Sequence, residues 1–225
     1  MADAAVEDAW LVSDEAVHRT GWLADQVLGA PRTARLVART LDPAGEHAGP
    51  TFDLLEPNEP EALGPADLLA ASIVGAPASA LALRRLLDHA VAEQLSARLR
   101  AIPTDADLWS APTAALDEAT ALWSQLQEAD GIGPVRATKL LARKRPRLVP
   151  LVEPAGAGLL ELPAGAHWAT LRAVLADAGR RARIEALRPA GAEERLPLLR
   201  LFDLAVWAAA SGGRRERTGT VAGPP

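Results

Sequence analysis

The sequence predicts an all-α fold, and three observations carry that prediction. Apolar residues recur at spacings of three and four over long stretches. Proline and glycine stand where helices would start and stop. Only one short run, 51–55 (Thr-Phe-Asp-Leu-Leu), reads as extended, and one such piece does not make a sheet.

Taken in order, the scattered apolar residues Trp10, Leu11, Trp22, Leu23, Val27 and Leu28 suggest one or two packing helices before residue 30. A short helix is expected over 33–41. Five prolines between 43 and 65 make a long helix implausible there. A helix over 67–74 stops at Gly75, with Pro77 just beyond. Leu81, Leu83, Leu86, Leu87, Val91, Leu95, Leu99 and Ile102 then mark a helical stretch over 78–102, either continuous or broken near His89. Pro103 and Pro112 bracket a turn region around Trp109. Helices are further expected over 113–128, 134–144, 167–178, 181–187 and 197–210, with an apolar segment at 148–152. The expected organisation is an N-terminal helical extension (1–29), a helical domain (30–210) and a disordered tail (211–225).

Composition narrows the functions available. The 225 residues include no Cys, which excludes disulfides, thiolate zinc sites, iron–sulfur clusters and a cysteine nucleophile. At 49% hydrophobic and 24% charged, the chain can build a core. The first ten residues lack a basic n-region, and the longest uncharged run, 68–83, is short for a membrane span, so a cytoplasmic protein without a membrane partner is expected. His18, His47, His89 and His167 show no metal-ligand spacing, and no Walker, Gly-x-Ser-x-Gly or dinucleotide fingerprint occurs, so neither metal nor cofactor is expected. Asp53, Glu56, Glu59 and Glu61 read as an exposed acidic loop.

One segment stands apart: Asp130-Gly131-Ile132-Gly133-Pro134-Val135-Arg136-Ala137-Thr138-Lys139-Leu140-Leu141. Two glycines around an aliphatic residue make a tight turn between helices. Pro134 suits a first helical position, and the amides at a helix start make a phosphate site. Ala137, Leu140 and Leu141 share a core-facing side, while Arg136, Lys139 and Arg143 share another. Residues 131–152 hold six of the 24 basic residues, both lysines among them, and no acidic one. The remainder carries a net of −11 behind an overall −5. That face reads either as a solvated basic surface or as a backbone-binding one.

The Gly-Ile-Gly-Pro pattern with Arg136-Ala137 and Leu140-Leu141 resembles the helix-hairpin-helix motif of DNA repair and recombination proteins. The resemblance implies nonspecific contact of the hairpin amides with DNA backbone phosphates, with a monovalent cation at the hairpin carbonyls. Gly131, Ile132, Gly133, Val135, Arg136, Lys139 and Arg143 are the residues so implicated. Two departures are Ala129-Asp130 where Leu-Pro is usual, and Val135 where lyase-active relatives carry Lys. The likeness extends to the DNA glycosylases, which place a catalytic Asp about twenty residues after the first hairpin glycine. Here Leu148-Val149-Pro150-Leu151-Val152 leads to Glu153 at that place. A monofunctional glycosylase using Glu153, without lyase chemistry, is the alternative to a non-catalytic DNA-binding protein; the competing structural role for Glu153 is an ion pair with Arg143 or Arg147. A protein-interaction domain with no nucleic-acid role is the third reading. Residues 52–58, 63–71 and 198–207, taken with the hairpin, also resemble an uncharacterised protein family of high-GC Gram-positive bacteria, which supplies no activity.

Two further features lie outside the hairpin. Arg200 and Asp203 interrupt an apolar helix at i, i+3. They form either a pocket-lining polar pair, with Asp203 as acid or base, or an ion pair on a wet face. His167-Trp168 opens a helix, with Trp168 expected in the core or stacked on a base.

Overall fold

The computed structural model describes residues 10–42, 44, 49–190 and 196–218, with side chains through residue 211 except at 49 and 50. Twelve helices and no strand occur among them: α1 Asp14–Gly29, α2 Pro31–Leu41, α3 Gly49–Leu54, α4 Pro65–Ile73, α5 Ala80–Leu86, α6 His89–Ala101, α7 Thr113–Glu128, α8 Pro134–Lys144, α9 Pro154–Leu159, α10 His167–Leu175, α11 Ala178–Glu185 and α12 Leu198–Thr218. The ends of residues 1–225 (1–9 and 219–225) lie outside the described residues. No described helix is long and apolar enough to cross a membrane.

Local chemistry explains the boundaries. Ser13, Ser79, Asp88 and Asp177 cap α1, α5, α6 and α11 by accepting from backbone amides of the first turn. Asp88 is what divides the 78–102 stretch: its carboxylate serves the amides of Ala90 and Val91, so α6 begins anew after Leu87. Pro31, Pro65, Pro134 and Pro154 open helices at a position whose N–H has no intrahelical partner.

Three expectations are corrected. Residues 51–54 of that run are helical, within α3; the Leu55 N–H reaches Thr51 O at 3.0 Å just beyond it, and Phe52 is buried. Helix α9 was not anticipated, because Pro154, Gly156 and Gly158 are poor helix formers. Gly156 is nonetheless needed, since a Cβ there would lie 2.8 Å from Val206 Cγ1 of α12. Finally, α12 continues to Thr218, so residues 211–218 of the expected tail are helical.

One core runs through the molecule. Helix α12 packs on α1, α2, α9 and α11, and α8 packs on α7 and α4. Ala24, Val27 and Leu28 of α1 share that core with Leu140 and Leu141 of α8 and Leu201 and Phe202 of α12. Residues of α7, α8, α9 and α10, with residues 150–153, line one cleft.

Candidate functional site

Residues 129–133 make the corner between α7 and α8. Gly131 sits at φ +84°, and a Cβ there would lie 2.8 Å from Ser79 Oγ, so two independent constraints require glycine. Ile132 is buried, and its amide donates to Ala129 O at 2.9 Å. Gly133 differs: its backbone is extended (φ −83°, ψ 174°) and nothing lies within 4 Å of a Cβ built there. The fold imposes no glycine at 133; open space lies before it, at the start of α8.

Arg136 is committed to this corner. Its guanidinium donates to Gly131 O, Pro77 O and, at 3.4 Å, Ala76 O, tying the hairpin to the turn after α4. The hairpin carbonyl at which the sequence resemblance implies a monovalent cation thus accepts from a guanidinium. Asp130 pairs at the surface with Arg85, 3.4 Å away.

The basic face of α8 is not a solvent face, which corrects the expectation for Lys139 and Arg143. Lys139, Arg143, Lys144 and Arg145 are exposed by 3%, 1%, 3% and 1%. Arg143 Nε donates to Asp67 Oδ1 at 2.8 Å, and its other nitrogens reach Phe52 O and Leu55 O. Lys144 Nζ lies 2.6 Å from Asp67 Oδ1 and also donates to Asn58 Oδ1 and Glu59 O. Arg145 donates to Ile102 O, Pro60 O and Leu99 O. These cations collect the carbonyls of residues 52–60, a proline-rich stretch without a carbonyl-satisfying helix ladder beyond α3. Burial lowers the Lys144 ammonium below its ordinary value, against the raising effect of Asp67. Arg143 is thereby removed from any phosphate contact in this conformation.

Lys139 points the other way along the same helix. Its Nζ donates to Glu153 Oε1 at 2.7 Å and to Val74 O. Glu153, the residue before α9, thus pairs with Lys139 rather than with Arg143 or Arg147; Arg147 pairs with Asp107 at 2.8 Å. The Lys139 side chain is 4% exposed and that of Glu153 is 39%, so the pair is a buried ammonium under an accessible carboxylate.

That carboxylate looks into the cleft, whose volume is about 650 Å³. Pro134 and Val135 from the start of α8 line one wall with Thr138 and Lys139, and Trp123 of α7 and Trp168 of α10 line another. Trp123 Nε1 donates to Thr138 Oγ1 at 2.9 Å, and its ring meets Trp168 edge-on, centroids 6.4 Å apart. Trp10 closes a further side, its indole N–H on Asp117 Oδ1 at 2.8 Å. His167 also lines the cleft, and burial holds its imidazole below the ordinary value, favouring the neutral form at pH 7. An apolar, indole-walled space lined by the Glu153 carboxylate and by Asp117, whose Oδ1 is taken by the Trp10 indole, suits a flat group that presents N–H donors.

Asp203 does not line this cleft. It is 5% exposed, accepts the Leu151 amide at 2.8 Å and pairs with Arg200, whose Nε also meets Asp53 Oδ1 at 3.2 Å. The i, i+3 pair is thus a buried one, and Asp53 belongs to it rather than to an exposed acidic loop. Among the described residues no group of His, Asp and Glu could hold a metal ion.

Sequence reasoning singled out Val135 and Glu153, which line the same cleft, and Gly131, Ile132 and Gly133, which do not. It missed Trp123, Thr138 and Asp67. Trp123 and Thr138 were open to detection as partners on facing helices of a tight corner; Asp67 gave no local signal, lying 76 residues from Arg143. No curated protein and no solved structure matches the chain. The model of a family of unknown function, DUF6308, matches residues 32–210, which span α2 to α12 and every residue of the cleft except Trp10, and the chain belongs to that family.

Proposed function

We propose that the protein binds DNA without sequence specificity at the start of α8 and takes one unstacked base into the adjoining cleft. One observation carries this reading: the hairpin helix start and the Glu153 carboxylate line the same indole-walled space. The open backbone at Gly133 supports it, because a glycine that the fold does not demand is one that lets a phosphate approach. Pro134 has no N–H and the Arg136 amide is bonded to Gly133 O at 3.0 Å, so the Val135 amide is the first-turn donor of α8 that meets the phosphate. Arg136 is the one member of the expected cationic set left partly exposed. Glu153 accepts from the edge of the base, and the wall formed by Trp123 and Trp168, in edge-on contact with each other, meets its ring.

The variant Gly133→Ser tests the backbone contact. Serine is a favoured cap residue with room for its side chain, so the melting temperature is expected to hold or rise. The same side chain covers the amides, so affinity for a short duplex carrying one unpaired adenine, read by tryptophan quenching, is expected to fall at least tenfold. Equal binding by the variant and the parent would sink the proposal.

A catalytic extension is favoured by the accessibility of Glu153: a monofunctional glycosylase in which the carboxylate stabilises positive charge at the sugar or orients water. Lys139, one turn beyond Val135, is occupied by Glu153 and Val74 O. Damaged-base duplexes treated with the protein and then alkali would show strand breaks, and Glu153→Gln would abolish them; no break at any lesion rejects catalysis while leaving base binding intact.

A further inference from the structure

We infer that Asp203 is the positioning residue for Glu153, fixing the 150–153 segment through the Leu151 amide from behind the cleft. This rests on the reading of Glu153 as the carboxylate that meets the ligand. The chain leaves its last turn at Val149, whose amide bonds to Arg145 O at 2.9 Å. Pro150 has no N–H to give. The Leu151 amide is therefore the first donor available to anchor the approach to Glu153, and it is spent on Asp203 Oδ2 at 2.8 Å.

Asp203 is itself held. Arg200 Nη1 pairs with it, while Nη2 donates to Ala142 O at 2.8 Å and Val149 O at 3.0 Å. One guanidinium thus joins α8, the entry to the 150–153 segment and α12. The other oxygen, Asp203 Oδ1, is buried and has no hydrogen-bond partner among the described residues. Asp203 borders a small cavity of about 10 Å³ that Leu151, Val152, Glu153 and Gly156 also line, so it and Glu153 line one narrow space. The charged and titratable groups facing Asp203 are Arg200 on its own helix, Asp53 of α3 with Arg143 of α8 beside it, and Glu153 with Lys139 across the cavity.

The experiment measures binding of the unpaired-adenine duplex, by tryptophan quenching, to the parent, Glu153→Gln, Asp203→Ala and Asp203→Asn. Glu153→Gln is expected to weaken binding about tenfold. Asp203→Ala is expected to match that loss, whereas Asp203→Asn recovers to within about twofold, because the amide oxygen still accepts from Leu151. Equal losses in the Ala and Asn variants, or none in a cooperatively melting Ala variant, overturn the inference while Glu153 remains implicated. No effect of Glu153→Gln instead removes the reading beneath it. Should Asp203→Ala fail to fold, amide NMR on Glu153→Gln decides. The Leu151 and residue-153 amides are expected to shift together, with a midpoint near the value of about 6 to which burial raises Asp203. A Leu151 amide that does not titrate, or a residue-153 amide that does not follow it, overturns the positioning role.

Discussion

Asp67 of α4 is the buried carboxylate that ties α4 to two cations of α8. One carboxylate meets Arg143 and Lys144, and its second oxygen takes the Gly64 amide at 2.8 Å, closing the start of α4. Removing it leaves two buried cations without their counter-charge, the costly case for a buried ion pair. Asp67→Ala is expected to lower stability by about 3–5 kcal/mol in urea unfolding, whereas Asp130→Ala, which removes only the exposed pair with Arg85, should cost less than about 1 kcal/mol. A second residue-level expectation concerns pH. Burial pushes the Asp203 carboxyl up to about 6 and raises that of Asp53 as well, with Arg200 opposing both. The unfolded chain releases these protons first, near pH 4, so stability falls as pH rises from about 4 to 6 and then levels. Asp203→Asn should flatten part of that slope in melts recorded between pH 4 and 7; an unchanged slope would remove Asp203 from the titration.

At the scale of elements, the α7–α8 corner separates two glycines that look alike in the sequence. Gly131 is demanded by its positive φ and by Ser79, so Gly131→Ala should cost about 1–3 kcal/mol through backbone strain and crowding. Gly133 should tolerate substitution in melts and not in binding, and that contrast is the corner's signature. Most helices were legible because their signals are local: a capping Ser or Asp, a proline at the first position, apolar spacing of three and four. The inward side of α8, with Ala137, Leu140 and Leu141, was legible for the same reason. Its basic side was not. A cation three residues from another looks identical whether water or a distant carbonyl receives it, and apart from Lys144 O the acceptors here lie 43–91 residues away along the chain for Arg143, Lys144 and Arg145. Glu153 was placed by its distance from the hairpin, but its partner, one turn from Val135, emerged only with the packing of the 148–153 segment against α8.

Across the whole molecule, burial changes what the charge distribution can do. The sequence places six basic residues in 131–152 against an acidic remainder, and that contrast reads as a local magnet for a polyanion. Four of the six are internal, Arg147 is paired with Asp107, and Arg136 is engaged with three carbonyls. The window balances buried carboxylates and carbonyls and offers little to a phosphate chain. On the proposed reading, DNA is held by the Val135 amide and by the base in the cleft, with few counterions released. The logarithm of the binding constant should fall with the logarithm of salt concentration at a slope of about −1 to −2, as for one or two neutralised phosphates. A protein making six to ten phosphate contacts would lose about 10³–10⁵ in affinity between 50 and 200 mM salt; this one should lose roughly tenfold. Titrations of the unpaired-adenine duplex across that range give the slope directly. A steep value would locate the contact on an arginine-bearing surface away from the hairpin, such as the exposed side of α2 with Arg35 and Arg39. A shallow slope abolished by Gly133→Ser would tie the affinity to the one stretch of α8 whose backbone stands open.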